Sequence, residues 1–174
     1  MGKIIGLSGK QYSGKDTVAK IILENFKEFQ RIGIGDAIKI EYGKKHDLTF
    51  EEIEKNKHLY REDLIALGNW GRSIHPHYWL KQIVNMDKNV IVPDLRVIDE
   101  VKLFESKGAY LIRVEASLEA RSKRGIITNG DDPTEVGLDN YKEWSYVIQN
   151  NGNYEELLEN SKDLLTNLYG WINM

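Results

Sequence analysis

Apolar and polar positions fall into blocks that predict strands and helices in turn. The run Lys3-Ile4-Ile5-Gly6-Leu7-Ser8 breaks into glycine-rich sequence, after which Val18, Ile21, Ile22 and Phe26 recur at the spacing of one buried helix face. Three further apolar runs read as strands: Asn89-Val90-Ile91-Val92-Pro93-Asp94, Ala109-Tyr110-Leu111-Ile112-Arg113-Val114 and Ser145-Tyr146-Val147-Ile148-Gln149-Asn150. The middle one follows Gly108, where a helix should stop. Periodicity predicts helices over about 51–70, 77–86 and 97–107, and a closing helix with Leu157, Leu158, Leu164, Leu165 and Leu168 on one side. Continuous apolar strands alternating with helices are the pattern of a parallel sheet covered on both faces.

The most irregular stretch runs from Gly125 to Asn140, just after a helix-like segment carrying Arg121, Lys123 and Arg124. A long polar insertion beside a basic cluster reads either as a flap over a charged ligand or as a solvated surface loop.

Composition narrows the picture by exclusion. A chain of 174 residues with 41% hydrophobic residues has room for one domain with a proper core. The net charge of −3 is spread over both signs, so no basic field is present to hold a nucleic-acid polymer. Cysteine is absent, which excludes disulfides and thiolate chemistry. No apolar stretch reaches membrane-spanning length and the amino terminus shows no signal-peptide pattern, so the expected address is the cytoplasm. No feature of the chain sets an oligomeric state.

The chemistry begins after the first strand. Gly9-Lys10-Gln11-Tyr12-Ser13-Gly14-Lys15-Asp16 is G-x-x-x-x-G-K with Asp where Ser or Thr usually stands. Gly9 and Gly14 let backbone wrap closely round phosphate oxygens, and the opening of the next helix presents unpaired N–H groups and a positive dipole end. Lys10 and Ser13 belong to the same cradle, and Lys15 supplies a point charge for the β- and γ-phosphates. Asp16 replaces the hydroxyl that normally touches Mg²⁺, and its roles stay open: direct ligand, ligand through water, proton acceptor, or a favourable charge in the first helical turn. Thr17 offers an alternative hydroxyl.

Asp94 closes an apolar run, the place of a metal-linked acid at the carboxyl end of a parallel strand; its alternative is a helix cap. Arg96 suits an acceptor phosphate, or an ion pair with Glu100. Arg61, Arg72, Arg113, Arg121 and Arg124 complete the candidate phosphate ligands, because arginine presents a planar fork of donors. Arg121 and Arg124, one turn apart before the irregular stretch, are placed to swing onto the transferring phosphoryl group, whereas Arg113 lies within a strand and suits a structural salt bridge. Between two helices, Gly68 to Trp79 mixes aromatics with Arg72, His75 and His77; Trp70 and Trp79 are either pocket walls or core, and the histidines lack a third metal ligand.

With these segments in view, the chain resembles two related groups of P-loop kinases, the deoxynucleoside monophosphate kinases of phages and bacteria and the animal-type phosphomevalonate kinases. Ser8-Gly9-Lys10 with Ser13-Gly14-Lys15-Asp16, Asp94-Leu95-Arg96, and Val147-Ile148-Gln149-Asn150-Asn151-Gly152 fit both. Lys39-Ile40-Glu41-Tyr42, Tyr60-Arg61-Glu62-Asp63-Leu64-Ile65 with Gly68, and Gly137-Leu138-Asp139-Asn140-Tyr141 resemble the phosphomevalonate kinases; Gly35-Asp36-Ala37-Ile38-Lys39 resembles an acceptor-side helix start of the nucleotide kinases. The resemblance implies a three-layer α/β/α sandwich over residues 1–174, with an acceptor arm over about 36–86 and a lid over about 117–140. It also implies ATP on the phosphate loop, Mg²⁺ near Asp16 and Asp94, and acceptor contacts from Asp36, Lys39, Arg61, Arg72, Trp79, Asp94 and Arg96.

The expected activity is transfer of the γ-phosphoryl group of ATP to a small phosphorylated acceptor. A deoxynucleoside monophosphate stands first by fold-level analogy, and mevalonate 5-phosphate is the alternative. A GTPase switch would need D-x-x-G and N-K-x-D; no Asp is followed by Gly three places on, and Asn56-Lys57 leads to His58-Leu59. A nucleotide-binding module without turnover is the remaining rival.

Overall fold

The computed structural model describes residues 2–128 and 130–174, without the side chains of Lys57, His58 and Thr134. Met1 and Asn129, the latter within the expected lid, lie outside the described residues. The elements run β1 (Ile4–Ser8), α1 (Lys15–Asn25), β2 (Phe29–Arg31), α2 (Ile34–His46), α3 (Phe50–Lys55), α4 (Lys57–Ile74) and α5 (Tyr78–Val84). They continue with β3 (Asn89–Leu95), α6 (Ile98–Glu105), β4 (Tyr110–Glu115), α7 (Leu118–Arg124), α8 (Pro133–Val136), β5 (Tyr146–Gln149) and α9 (Tyr154–Ile172). These elements form two compact units, one of the residues up to Arg31 together with those from Asp87 onward, the other of Ile32–Met86.

In the first unit the five strands lie in the order β2-β3-β1-β4-β5, and every neighbouring pair is parallel. Alternate strand residues, among them Ile5, Leu7, Ile91, Ile112, Val114 and Ile148, pack with Val18, Ile22, Leu157, Leu164 and Leu168 of α1 and α9 into the main core. On the other face α6 packs against β1 and β4, with Val101 and Phe104 fully buried. The result is the expected three-layer α/β/α sandwich, with a sheet that is wholly parallel. The connection after β1 covers one face and that after β3 the other, which opens a crevice at the carboxyl ends of these adjacent strands.

β3 carries an irregularity where it matters. The two-residue step from Gly6 to Ser8 on β1 is matched by a three-residue step on β3, Val92 to Leu95, so the extra residue falls at Pro93-Asp94. β2 pairs with β3 only as far as Ile91, so the missing N–H of Pro93 costs no hydrogen bond on that side.

The second unit is helical. Trp79 is its anchor: the indole is 2% exposed and its Nε1–H donates to the carbonyl of Gly68 at 3.0 Å, with Ile53, Leu80, Ile83 and Val84 also buried. Tyr42, buried on α2, donates its hydroxyl to Asp63 at 2.9 Å. Here the structure departs most from periodicity. The helix expected over 51–70 is two helices, broken at Asn56, whose φ of −117° and ψ of 24° are not helical and whose side-chain amide donates to Glu52 O at 3.0 Å. α2 buries only Ala37, Tyr42 and Gly43, too weak a stripe to register, and β2 is three residues long, too short to show alternation.

Candidate active site

Strand β1 delivers the chain into the phosphate loop at Gly9, and the loop ends at Gly14, the N-cap of α1, with φ of +95°. A β-carbon on Gly14 would stand 2.2 Å from Asn150 Nδ2, so both backbone conformation and space require glycine there. Ser13 N–H donates to Lys10 O at 3.0 Å and closes the turn. The Ser13 hydroxyl oxygen is buried and has no hydrogen-bond partner among the described residues. Lys15 is the first residue of α1, half-buried, and its ammonium makes no hydrogen bond or ion pair among the described residues. An orphaned hydroxyl beside an uncompensated cation suits an anionic group with several acceptor oxygens. Asp16 is exposed, with Oδ1 3.4 Å from Arg31 Nη2, and Thr17 is half-buried beside it.

The loop is held from outside by residues more than a hundred positions away. Asn150, buried at the end of β5, donates Nδ2 to Ser13 O at 2.8 Å. Arg124 donates Nη1 to Tyr12 O at 3.1 Å and Nη2 to Asn150 O at 2.7 Å and to Gly152 O at 3.1 Å. Arg121, 9% exposed, donates to Gln11 O at 3.4 Å and Ala116 O at 3.3 Å. The two arginines expected to reach the moving phosphoryl group thus place their donors on backbone carbonyls. The physical reason is that a loop presenting its N–H groups to a ligand turns its carbonyls outward, and those need donors too.

The stretch expected as a lid is stitched to the same loop. Gln11 N–H donates to Glu135 Oε2 at 3.0 Å, and its side-chain amide exchanges hydrogen bonds of 2.6 and 3.2 Å with the backbone of Thr128. Lys10 pairs with Asp139 at 2.7 Å, and the other oxygen of Asp139 lies 3.3 Å from Arg113 Nη2. Arg113, buried on β4, also donates to Ser8 Oγ at 2.9 Å. Burial pulls its pKa below the ordinary arginine value, and the Asp139 carboxylate opposes that shift. The salt bridge foreseen for Arg113 is this one. Lys10, Ser13, Arg113, Arg121, Asp139 and Trp144 contribute to a cleft of about 620 Å³ beside the loop.

Asp94 is half-buried one residue before the end of β3, level with the exit of β1 into the loop. Arg96 follows with an exposed side chain. The ion pair considered between Arg96 and Glu100 is replaced by backbone bonding, since Glu100 Oε2 accepts from the N–H groups of Arg96 at 2.7 Å and Val97 at 3.2 Å and so caps α6. Among the described residues no three His, Asp or Glu side chains cluster as a ready-made metal cage.

In the helical unit Gly35, Ile38, Lys39, Arg61, Leu64, Ile65 and Arg72 line a hollow of about 320 Å³. Asp36 accepts from Gly33 N–H at 2.7 Å as an N-terminal cap and lies 3.6 Å from Lys39, which also pairs with Glu54. Arg61 and Arg72 are exposed, and Arg72 donates to Asn69 Oδ1 at 3.0 Å. Trp79 is absent from the hollow because it is spent in the core.

A five-stranded parallel sheet with a phosphate loop after its central strand is the P-loop fold, and solved structures of P-loop kinases share this architecture. Shikimate kinase from Aquifex aeolicus is 17% identical, with 96% of each chain covered and a TM-score of 0.54. Gluconokinase from Sinorhizobium meliloti is 15% identical, with 99% of this chain and 95% of that one covered and a TM-score of 0.56. At such identities they establish the fold alone. Residues 7–110 match the phosphomevalonate kinase family, and the chain belongs to that family. Uncharacterized protein ORF76 of Ictalurid herpesvirus 1 (strain Auburn) is 26% identical over 181 aligned positions, covering 92% of this chain and 68% of that protein. Family and fold together are those of a small-molecule phosphotransferase. No helix among the described residues is long and apolar enough to cross a membrane.

Proposed function

We propose that the chain is an ATP-dependent kinase acting on a small aliphatic phosphomonoester, with mevalonate 5-phosphate as the acceptor to which the family points. The observation that carries this reading is the hollow of the helical unit, which combines three cations, Lys39, Arg61 and Arg72, with aliphatic walls and, among the described residues, has no aromatic ring in its lining. A nucleoside base needs a flat, partly aromatic slot, whereas a branched carboxylate with a phosphate needs cations and no slot. The order expected from fold-level analogy, nucleotide first, is therefore reversed.

On the donor side, Lys15 offsets the charge of the ATP phosphates and Ser13 Oγ gains a partner when they arrive. An oxygen of the acceptor phosphate attacks the γ-phosphorus in line, the bond to the β–γ bridging oxygen breaks, and ADP leaves. Mg²⁺ would be held by Asp94 and by Asp16 or Thr17 together with phosphate oxygens and water, consistent with no three-ligand cage among the described residues; when bound it would neutralise charge on the phosphates. Lid and acceptor arm correspond in this reading to residues 117–140 and 36–86.

The test is ADP release with ATP and Mg²⁺ across a panel of mevalonate 5-phosphate, mevalonate, deoxynucleoside monophosphates and deoxynucleosides. Release is expected with mevalonate 5-phosphate and not with mevalonate. Turnover confined to deoxynucleoside monophosphates would restore the nucleotide reading. Release indifferent to any acceptor would make the chain an ATPase.

A further inference from the structure

Tyr12 is one of two non-glycine residues with positive φ among the described residues, at +60°. It stands mid-loop, where glycine would adopt the same conformation at no steric cost. A tyrosine there has to be held by its surroundings. Its carbonyl accepts from Arg124. Its ring lies over Gly125 so closely that a β-carbon on that glycine would stand 2.2 Å from Cζ and 2.3 Å from Cε1. Its neighbour Gln11 is fixed on both sides, to Thr128 and to Glu135. Tyr12 is 44% exposed, so burial of apolar surface does not account for its placement.

We infer that Tyr12 is a positioning residue for the donor phosphates, its ring acting as a wedge between the phosphate loop and the end of α7. The inference rests on the ATP site proposed above and adds a residue that no motif marks. Ser13 N–H is spent on Lys10 O, but the amides of Gly14 and Lys15 lie just beyond it, and the torsion angles of Tyr12 direct the chain that presents them. A wedged Tyr12 fixes them before the donor arrives, so their ordering is not a cost of binding. Gly125 is the seat of the wedge.

The experiment compares Tyr12→Gly, Tyr12→Phe, Gly125→Ala and the pair Tyr12→Gly/Gly125→Ala in the full chain. Hydrogen–deuterium exchange of the Ser13 to Lys15 amides is measured without nucleotide; ATP affinity by calorimetry, and KM against kcat, are measured with it. Tyr12→Gly should speed exchange and weaken ATP binding by about ten-fold each, raising the KM for ATP more than it lowers kcat, even though glycine removes the steric cost. Tyr12→Phe should behave as wild type. Gly125→Ala should reproduce the loss, and the pair should be no worse than either single change, because both remove one contact. A Tyr12→Gly protein equal to wild type in both readouts, or additive losses in the pair, would overturn the inference. Failure of wild type to bind ATP would refute the donor-site reading, while exchange in the ligand-free protein still decides on the wedge. If Tyr12→Gly melts well below wild type, Tyr12→Phe and Gly125→Ala carry the test: loss in the first or none in the second overturns it.

Discussion

Replacing Asn150 with alanine removes a long hydrogen bond from Arg124 Nη2 to Oδ1, at 3.4 Å, and a short one from Nδ2 that has a defined consequence. The amide Nδ2 reaches Ser13 O at 2.8 Å from a buried position, and Gly14 leaves space for it by lacking a side chain. Without it the Ser13 carbonyl loses its donor, a penalty of about 1–3 kcal/mol for a buried acceptor. If the loop keeps its shape, the cost falls on the fold, and at roughly 2–4 °C per kcal/mol for a chain of this size the melting temperature drops by about 2–12 °C. If the loop relaxes instead, the cost falls on the donor site and ATP binds roughly 5- to 150-fold more weakly. Thermal denaturation and calorimetric ATP titration on the same preparation apportion the two. Asn150→Asp should be no better than Asn150→Ala, because a carboxylate cannot donate and faces the carbonyl. A protein unchanged in both measurements would refute the idea that Asn150 sets the loop.

Lys15→Met should leave circular dichroism native and lower kcat by several orders of magnitude, since the charge that would offset the donor phosphates is lost; turnover within a few-fold of wild type would remove Lys15 from the chemistry. Asp16→Asn should raise the Mg²⁺ concentration needed for half-maximal turnover, and Thr17→Val should do less; unchanged metal dependence in the first variant would leave Asp16 to its contact with Arg31. Tyr42, Tyr110, Tyr141 and Tyr146 all have phenol pKa values above the ordinary 10.0, for Tyr42 chiefly through its hydrogen bond to Asp63 and for the others chiefly through burial. The folded state therefore holds these protons more tightly than the unfolded chain, so their contribution is complete below pH 10 and is lost as pH rises through the folded values. Urea titrations between pH 8 and 11.5 should show stability level at first and falling above about 10.

The strands β1, β3, β4 and β5 were legible because each is a continuous apolar run, and the phosphate loop because its spacing is local. The arginines before the irregular stretch were recognised as a pair beside the loop, but the direction of their forks depends on Gln11 and Tyr12, which no local pattern connects to them. Asn150 and Asp139 lie in segments that the family resemblance singled out without giving either residue a part. Their partners, Ser13 and Lys10, are 137 and 129 positions away. Periodicity reports which face a residue occupies, not which distant atom it meets. Trp79 illustrates the same limit from the other side: an aromatic near an arginine suits pocket and core equally, and only the Gly68 carbonyl under its indole decides.

The clamp on the phosphate loop also orders events in time. The loop leaves the ribosome well before the residues that fix it, since Arg124, Glu135 and Asn150 come 112, 124 and 137 positions after their partners. Closing spans of that length is slow and unrewarded until the late contacts form. A nascent chain that stops short of β5 therefore carries the signature of a nucleotide site without its shape, and on the proposed donor site the competence to hold ATP arrives with β5 and the asparagine that follows it.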